Sequence, residues 1–480
     1  MPLRMRQRGR RALFWSHRWL GIITCLLCAM WFASGLVMMY VPYPSWRDDE
    51  RVQRLPAIDA ASIAVAPGEA LATLALPRTP TIFRLEMAGA EPVYRIYDFG
   101  RPFAVSAKDG RAITRVSADD AQPIVRALFP GTAVTFQSAI DIDQWTVTSR
   151  FNPHRPLHLF AVADGLGTQV YVSSKTGEVV QATTKRERFW NWLGSVPHWI
   201  YFTPIRADGA VWRQVIMWTA GPAAIGAMLG IWIGLLKVRF GRKRFTPYRG
   251  WMKWHHLTGL AGGVALMAWL GSGWLSVGPF DLFNSLPVTP DQLARFYTPD
   301  GRQPGVTISQ LKTVLPADAR EVEFSWLAGE PLVIINNGGA KRTYDAATGL
   351  AADLSVERIT AATRPVLDGS AIAAVERLDH PDIYWYSHIA ARPLPILRVR
   401  YDTPTDTWLT IDLTTGRVVG ASDRSDRTYR WLFHLVHQYD LPVLLANPWW
   451  RYAIMWLLSL LGLIISISGT VIGLRSLRRS

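Results

Sequence analysis

Cysteine is almost absent from this chain of 480 residues, which contains only Cys25 and Cys28. Both lie in one apolar run near the N-terminus, so the long polar regions further along have to fold without disulfide bonds. Two small apolar residues in a buried helix are the simplest interpretation of the pair. The sequence therefore excludes a disulfide-stabilised scaffold.

Acidic residues are missing from three strongly basic segments. Residues 1–18 carry six arginines, residues 237–253 carry seven lysines or arginines, and residues 475–480 carry three arginines. Elsewhere basic and acidic residues nearly cancel, so these segments account for the net charge of +15. Short basic segments beside apolar runs follow the positive-inside rule, which predicts that both termini are cytoplasmic. The location of the charge argues against nucleic acid as a partner.

Four apolar windows without charged residues are long enough to cross a hydrocarbon core of roughly 30 Å at about 1.5 Å per residue. They cover residues 19–41, 214–236, 257–280 and 452–474. The first window resembles a signal peptide, but it is too long and lacks a small-residue cleavage site. We therefore expect it to be retained as a membrane-spanning helix.

These windows predict seven segments. They are a cytoplasmic N-terminus with the first span (1–41), a first outer domain (42–185), an interfacial helix with the second span (186–236), a basic cytoplasmic loop (237–256), a third span (257–280), a second outer domain (281–425), and an interfacial helix with the fourth span and tail (426–480). Short glycine turns at Gly110, Gly177, Gly349 and Gly416 and helical patterns at 117–128 and 355–364 predict α+β outer domains. Aromatic residues in 186–202 and 427–441 predict segments at the membrane surface.

The second half of the chain repeats the first about 238 residues later. The repeated residues begin with a histidine and end with Ser-Gly: His17, Gly21, Trp31, Ser34 and Gly35 recur as His255, Gly259, Trp269, Ser272 and Gly273. Further along, His198 and Arg213 recur as His437 and Arg451. The repeat predicts two duplicated halves. It pairs His17 with His255 and His198 with His437, one pair at each side of the membrane.

The paired histidines predict metal ligation. Two imidazoles from facing helices in an apolar setting, without carboxylate or usable thiolate, match the axial ligands of a b-type haem. No Cys-x-x-Cys-His motif occurs, which excludes covalent haem attachment. Gly21 and Gly259, one turn after His17 and His255, would leave room beside the porphyrin. The alternative is that these histidines only hydrogen-bond to headgroups or loops.

Two neighbouring histidines remain open as ligands. His256 adjoins His255, and His434 lies one turn before His437, although the repeat favours His255 and His437. Arg213 and Arg451, at the outer ends of the second and fourth spans, suit either haem propionates or the headgroup region, and both interpretations stay open.

The other four histidines, His154, His158, His380 and His388, lack metal-ligand spacing. The chain also has no glycine-rich dinucleotide motif or P-loop on the cytoplasmic side, and its inner loops are too short for a flavin domain. We therefore expect the electron donor to be a separate cytoplasmic reductase or a membrane quinol.

Over essentially its whole length the chain resembles the PepSY-associated transmembrane family. The residues that carry the resemblance are the two His-x-x-x-Gly starts, the two Ser-Gly pairs, and the hairpins 175–179 (Lys-Thr-Gly-Glu-Val) and 414–418 (Thr-Thr-Gly-Arg-Val). The resemblance implies a membrane α+β fold with four transmembrane helices in two duplicated halves, each with a large periplasmic PepSY-like domain. It also implies a bacterial inner-membrane protein.

The function that this resemblance implies is that of a di-haem, iron-regulated ferric-siderophore reductase. Two haems b, held by His17, His255, His198 and His437, would move electrons toward the periplasm, where ferric siderophore is reduced and Fe(II) is released. Two other functions remain open: a haem-containing electron conduit to another periplasmic acceptor, and a haem-free PepSY regulatory or binding protein.

Overall fold

The computed structural model describes residues 2–76, 79–241, 244–301 and 305–479, with side chains from residue 7 onward. Arg242 and Lys243 of the predicted basic loop lie outside the described residues, as do residues 77–78 and 302–304 of the two predicted outer domains.

The described helices are, in chain order, α1 Pro2–Met38, α2 Asp48–Arg54, α3 Pro67–Leu74, α4 Ala118–Leu128, α5 Lys185–Leu193, α6 Ser195–His198, α7 Thr203–Arg206, α8 Gly209–Lys237, α9 Gly250–Leu275, α10 Pro290–Tyr297, α11 Ile308–Val314, α12 Val356–Thr363, α13 Arg424–Tyr429, α14 Leu435–Gln438, α15 Pro442–Leu445 and α16 Pro448–Leu477. Short 3₁₀ helices cover Ala60–Ser62, Ser149–His154 and Pro279–Asp281, and a π-helix covers Arg430–His434.

The strands are β1 Ile82–Ala88, β2 Glu91–Asp98, β3 Arg101–Ser106, β4 Ala112–Ile113, β5 Val134–Ile140, β6 Leu157–Val162, β7 Thr168–Ser173, β8 Val179–Thr183, β9 Glu321–Leu327, β10 Glu330–Asn336, β11 Arg342–Asp345, β12 Ile372–Leu378, β13 Ile396–Tyr401, β14 Trp408–Asp412 and β15 Val418–Ser422.

Within the described part of the chain, three helices are long and apolar enough to cross a membrane: Gln7–Met38 within α1, Gly209–Lys237 and Pro448–Leu477. The first begins well before the predicted window, because the arginine-rich N-terminal segment is also helical. Helix α9, over the third window, has 26 residues and is not among these three; glycine and tryptophan, which add little hydropathy, make up much of it. It also ends at Leu275 and not at the predicted Phe280, because Gly278 and Phe280 adopt left-handed backbone angles.

The four long helices form a bundle in which α1 and α9 each pack against both α8 and α16. Small residues allow the close approach. A Cβ atom on Gly462 would lie 2.2 Å from the ring of Phe32, and one on Gly226 would lie 3.3 Å from Leu20. The bundle therefore depends on glycine at its contact points.

The two polar regions share one sheet. The seven-stranded sheet has the order β11-β10-β9-β1-β2-β3-β4, and its middle is the antiparallel pairing of β1 with β9, with Leu85 opposite Val322. Of the two four-stranded antiparallel sheets, β5-β6-β7-β8 lies in sequence between β4 and β9, and β12-β13-β14-β15 follows β11. The predicted glycine turns are confirmed, since Gly110, Gly177, Gly349 and Gly416 all have positive φ. The two regions thus join across a strand pair.

A buried charge network crosses the same junction. Arg51 pairs with Glu86 at 2.6 Å and also with Glu321 from the second half, while Arg95 pairs with Glu86 at 2.9 Å. Arg84 pairs with Glu178. Because an unpaired buried charge is costly, each carboxylate has to be matched by these guanidinium groups.

Candidate functional site

The structure brings the four predicted ligand histidines together in two pairs. His17 and His255 have ring centres 6.2 Å apart, and so do His198 and His437. We call the first the terminus-side pair, because it lies toward the N-terminal end of α1 and the C-terminal end of α16. The second is the sheet-side pair, because its histidines lie on short helices that follow β8 and β15.

In the terminus-side pair, backbone carbonyls hold both rings. Nδ1 of His17 lies 2.9 Å from the carbonyl oxygen of Gly226, and Nδ1 of His255 lies 3.0 Å from that of Ile465 and 3.1 Å from Oγ of Ser468. A carbonyl oxygen can only accept a hydrogen bond, so Nδ1 carries the proton in each ring. Each Nε2 then keeps its lone pair.

The sheet-side pair is held in the same way. Nδ1 of His198 lies 3.1 Å from the carbonyl oxygen of Trp31 and 3.2 Å from Oγ of Ser34. Nδ1 of His437 lies 2.9 Å from Oγ of Ser272. Burial lowers the pKa of His198 to about 4 and that of His437 to about 3, so both rings are neutral at pH 7. Neutral imidazole is the form that binds a metal.

Glycines leave the space that the rings occupy. A Cβ atom on Gly230 would lie 2.6 Å from Cε1 of His17, and one on Gly469 would lie 3.2 Å from Cε1 of His255. At the sheet-side pair, a Cβ atom on Gly35 would lie 3.1 Å from Cε1 of His198. Larger residues at these positions would displace the imidazoles.

The two pairs lie far apart along the bundle. His17 and Gly35, which contacts His198, are 18 residues apart on α1, corresponding to about 27 Å at 1.5 Å per residue. This separation is close to the thickness of a hydrocarbon core, roughly 30 Å.

Both pairs fit a haem with two axial histidines. Imidazoles that bind one metal ion from opposite sides, at about 2.0–2.1 Å each, place their ring centres roughly 6 Å apart. Among the residues that the structure describes, none hydrogen-bonds to Nε2 of the four histidines. A Cβ atom on Gly259 would meet no described atom within 4 Å, so the predicted space beside His255 is open. The chemistry of the donors, imidazoles oriented by hydrogen bonds from Nδ1 to carbonyl or hydroxyl oxygens, suits this ligation.

The two alternative histidines differ from the paired ones. His256 has both ring nitrogens engaged, with Nδ1 2.8 Å from Oγ1 of Thr246 and Nε2 2.9 Å from the carbonyl oxygen of Gly234. It therefore has no free lone pair toward a metal. His434 makes a long hydrogen bond, 3.4 Å from Nδ1 to Oε1 of Gln438, and the ring opposite His198 is that of His437.

The two arginines already have partners within the protein. Arg213 donates to Asp281 at 2.8 Å and to the carbonyl oxygen of Gly278. Arg451 donates from Nε to the carbonyl oxygen of Gln438 at 2.8 Å and lies 3.5 Å from Asp440. Asp281 and Asp440 are residues that sequence reasoning missed.

The remaining histidines lie in the sheet region. His154 and His158 are buried, and Nε2 of His158 donates to the carbonyl oxygen of Val116 at 2.9 Å. His380 is exposed. His388 donates to Asp440 at 2.8 Å, a contact that sequence spacing did not indicate because the two residues are 52 positions apart.

In comparison with known proteins, the chain matches no protein-family model, and a search of curated proteins found no match.

Proposed function

We propose that this chain is a di-haem oxidoreductase of the bacterial inner membrane that passes electrons across the membrane and reduces ferric siderophore in the periplasm, releasing Fe(II). The observation that carries the proposal is the pair of bis-histidine sites, each with ring centres 6.2 Å apart and Nδ1 committed to hydrogen bonds. Haem b bound there would supply a one-electron carrier near each membrane face.

The proposal includes four membrane-spanning helices in two duplicated halves. Helix α9 would be the third span in chain order, in addition to the three helices named above, since its 26 residues correspond to about 39 Å and it packs between α8 and α16. The hydrogen-bond partners support the duplication. Gly226 and Ile465, which accept from His17 and His255, are 239 residues apart. Ser34 and Ser272 play matching roles at the sheet-side pair.

Each histidine would have two tasks. Its Nε2 would bind iron, and its Nδ1–H would donate to a fixed acceptor that sets the tautomer and the ring plane. In the helices, Gly230 and Gly469 would leave the rings room to stand beside the backbone. Arg213 and Arg451 would then stabilise the sheet-side ends of α8 and α16 through their protein partners.

The proposed orientation in the membrane rests on the distribution of charge. The basic segments at the chain termini and between α8 and α9 would face the cytoplasm, with both termini inside, and the sheet region would be periplasmic. Electrons would enter at the terminus-side pair from a quinol or a cytoplasmic reductase and leave at the sheet-side pair. The surrounding lipid would contact the exposed apolar faces of the bundle.

The choice of substrate rests on the family resemblance and on coordination chemistry. Siderophores are hard oxygen chelators, which bind Fe(III) far more tightly than Fe(II). One electron delivered to the iron therefore weakens the complex enough for release. The electron comes from the named donor, the iron is reduced from Fe(III) to Fe(II), and no covalent bond to the protein forms.

The first experiment is an absorption spectrum of the detergent-purified protein, oxidised and dithionite-reduced, with a pyridine haemochrome titration. We expect two low-spin b haems per chain. His17→Ala and His255→Ala should each remove one haem, whereas the control His154→Ala, a buried histidine of the sheet region, should remove none. Unchanged haem content in both ligand variants would contradict the assignment.

The second experiment separates a reductase from a conduit. The dithionite-reduced, desalted protein is mixed anaerobically with a ferric hydroxamate siderophore and an Fe(II)-specific chromogenic chelator. Haem reoxidation with matching formation of the Fe(II) complex supports the reductase. If the haem stays reduced and no Fe(II) forms, the result favours an electron conduit to another acceptor. A protein without haem would favour a binding or regulatory role.

A further inference from the structure

A buried carboxylate lies beside the sheet-side pair and outside the roles described above. The side chain of Asp440 is fully buried. It accepts hydrogen bonds from Nε2 of His388 at 2.8 Å and from the hydroxyl of Tyr386 at 2.5 Å. His388 keeps 29% of its side chain exposed, so this cluster connects a buried acid to solvent. We call Asp440, His388 and Tyr386 the acid cluster.

Positive groups surround the acid cluster. Arg451 on α16 lies 3.5 Å from the carboxylate, and Arg430 on the π-helix donates to the backbone oxygen of Asp440 at 2.9 Å. His434, on the same π-helix, also faces it. Burial alone would raise the pKa of Asp440, but the hydrogen bonds from His388 and Tyr386, with the nearby positive charge, lower it.

Two members of the cluster keep one protonation state at neutral pH. Asp440 stays ionised, and burial together with Asp440 raises the pKa of Tyr386, which keeps its proton. Histidine is the side chain that ordinarily gains or loses its charge between pH 5 and 8. Proton exchange at this corner consequently falls to His388, the member that reaches solvent.

The cluster is tied directly to a ligand histidine. Asp440 follows His437 by three residues, and Nε of Arg451 donates to the carbonyl oxygen of Gln438, the residue after His437. Trp269 donates from its indole nitrogen to the carbonyl oxygen of His437 at 2.8 Å. A change of charge at the cluster therefore acts on His437 through this hydrogen-bonded segment.

The corresponding corner of the first half carries no such group. The backbone there matches, since Ile200 and Tyr439 have φ angles of 52° and 57°. At the position of Asp440, however, stands Tyr201, whose carbonyl oxygen accepts from the side chain of Gln144 at 2.6 Å. At the positions of Tyr386 and His388 stand Val147 and Ser149. The guanidinium of Arg206 lies over the ring of Tyr201, and no carboxylate stands at the position of Asp440, so the fold of this corner does not require an acid there.

We propose that the acid cluster is a proton-uptake site for the sheet-side centre: when one electron reaches that centre, His388 binds one proton from the outer aqueous phase. This inference rests on the proposed function. The added electron makes the potential at His388 more negative, which favours the imidazolium form. When the electron leaves for the iron of the ferric chelate, the proton returns to solvent, so charge and protons balance. His388 and Asp440 are positioning residues, since neither contacts the metal.

The test is a spectroelectrochemical titration of the detergent-purified holoprotein between pH 5.5 and 8.5. One of the two haem transitions should shift to lower potential as pH rises, with a slope approaching about 59 mV per pH unit for full coupling. His388→Gln should abolish that slope. The matched control, His380→Gln, changes an exposed histidine of the same region and should keep it.

A second variant and a second readout guard against misfolding. Asp440→Asn should also abolish the slope while two haems per chain and their low-spin bands remain. Proton release on reoxidation, followed with a pH indicator, should fall from about one per reduced sheet-side centre to about zero in His388→Gln. Two haems with pH-independent potentials, or a slope unchanged in His388→Gln, would overturn this inference alone. Protein purified without haem would overturn the proposed function and this inference with it.

Discussion

Adding a single methyl group at Gly230 should disturb one of the two proposed haem sites and leave the other intact. The Cβ atom of alanine there would lie 2.6 Å from Cε1 and 3.2 Å from Nδ1 of His17. Carbon atoms approach without repulsion at about 3.5–4.0 Å. The ring of His17 therefore has to move by about 1 Å, since α8 cannot retreat from its neighbours without opening the bundle.

This movement is large enough to break the bond that fixes the ring. The distance from Nδ1 of His17 to the carbonyl oxygen of Gly226 is 2.9 Å, and an increase of about 1 Å takes it beyond hydrogen-bonding range. The lost hydrogen bond costs about 1 kcal/mol, and the movement would also take Nε2 away from the position from which it would bind the proposed haem. Glycine-to-alanine exchange otherwise favours a helix by about 0.5–1 kcal/mol, so general helix loss is not expected.

The assay is haem content per chain with low-temperature EPR of the low-spin signals. Gly230→Ala should retain one low-spin haem and lose the other or convert it to high spin. Gly271→Ala is the matched control, since a Cβ atom there would meet no described atom within 4 Å. Two unchanged low-spin signals in Gly230→Ala would refute the placement of His17 beside a haem.

Three further predictions follow from the packing. His256→Ala should keep both haems but lower the melting temperature, because both ring nitrogens of His256 form hydrogen bonds, one with Thr246 and one with Gly234. Haem analysis and thermal melting test this prediction, and loss of a haem would contradict it. Burial alone would raise the pKa of Glu86, but the surrounding arginines lower it to about 2. The contribution of Glu86 to stability is therefore complete above the ordinary pKa near 4.5 and is lost as the pH falls toward 2. Glu86→Gln should cost about 3–5 kcal/mol at pH 7 and flatten this acid dependence, as measured by circular dichroism melting across pH 2–6. Gly462→Ala should destabilise the bundle by about 1–3 kcal/mol because its Cβ would lie 2.2 Å from Phe32, and Phe32→Leu should recover part of the loss; additive losses in the double variant would argue against this contact.

The sequence predicted the elements whose signals are local. Serine at 117 and the apolar spacing after it indicated a helix, and α4 begins at Ala118 with Ser117 as its N-cap. The histidine pairs were predictable for a different reason. The repeat placed His17 with His255 and His198 with His437 without any knowledge of the backbone, and these are the rings that approach to 6.2 Å.

What the sequence did not indicate depends on distant contacts. The pairing of β1 with β9 joins residues more than 230 positions apart, and two alternating strands carry no signal for which partner they choose. Asp440 appeared as one acid among 37 until the fold brought His388 and Tyr386 to it. The limit of α9 was also missed, because composition alone does not show the left-handed turn after Leu275.

The shared seven-stranded sheet has a consequence for biosynthesis. Strand β1 ends at Ala88, and its partner β9 begins at Glu321, so one edge of β1 waits for a strand that the ribosome makes much later. At roughly 5–20 residues per second, this interval lasts about 10 to 50 s. During this interval the nascent first half exposes an unpaired strand edge and Arg51, whose partner Glu321 has not yet been synthesised. A chain cut between the halves would therefore be expected to need its missing half, or a chaperone, to stay soluble outside the bilayer.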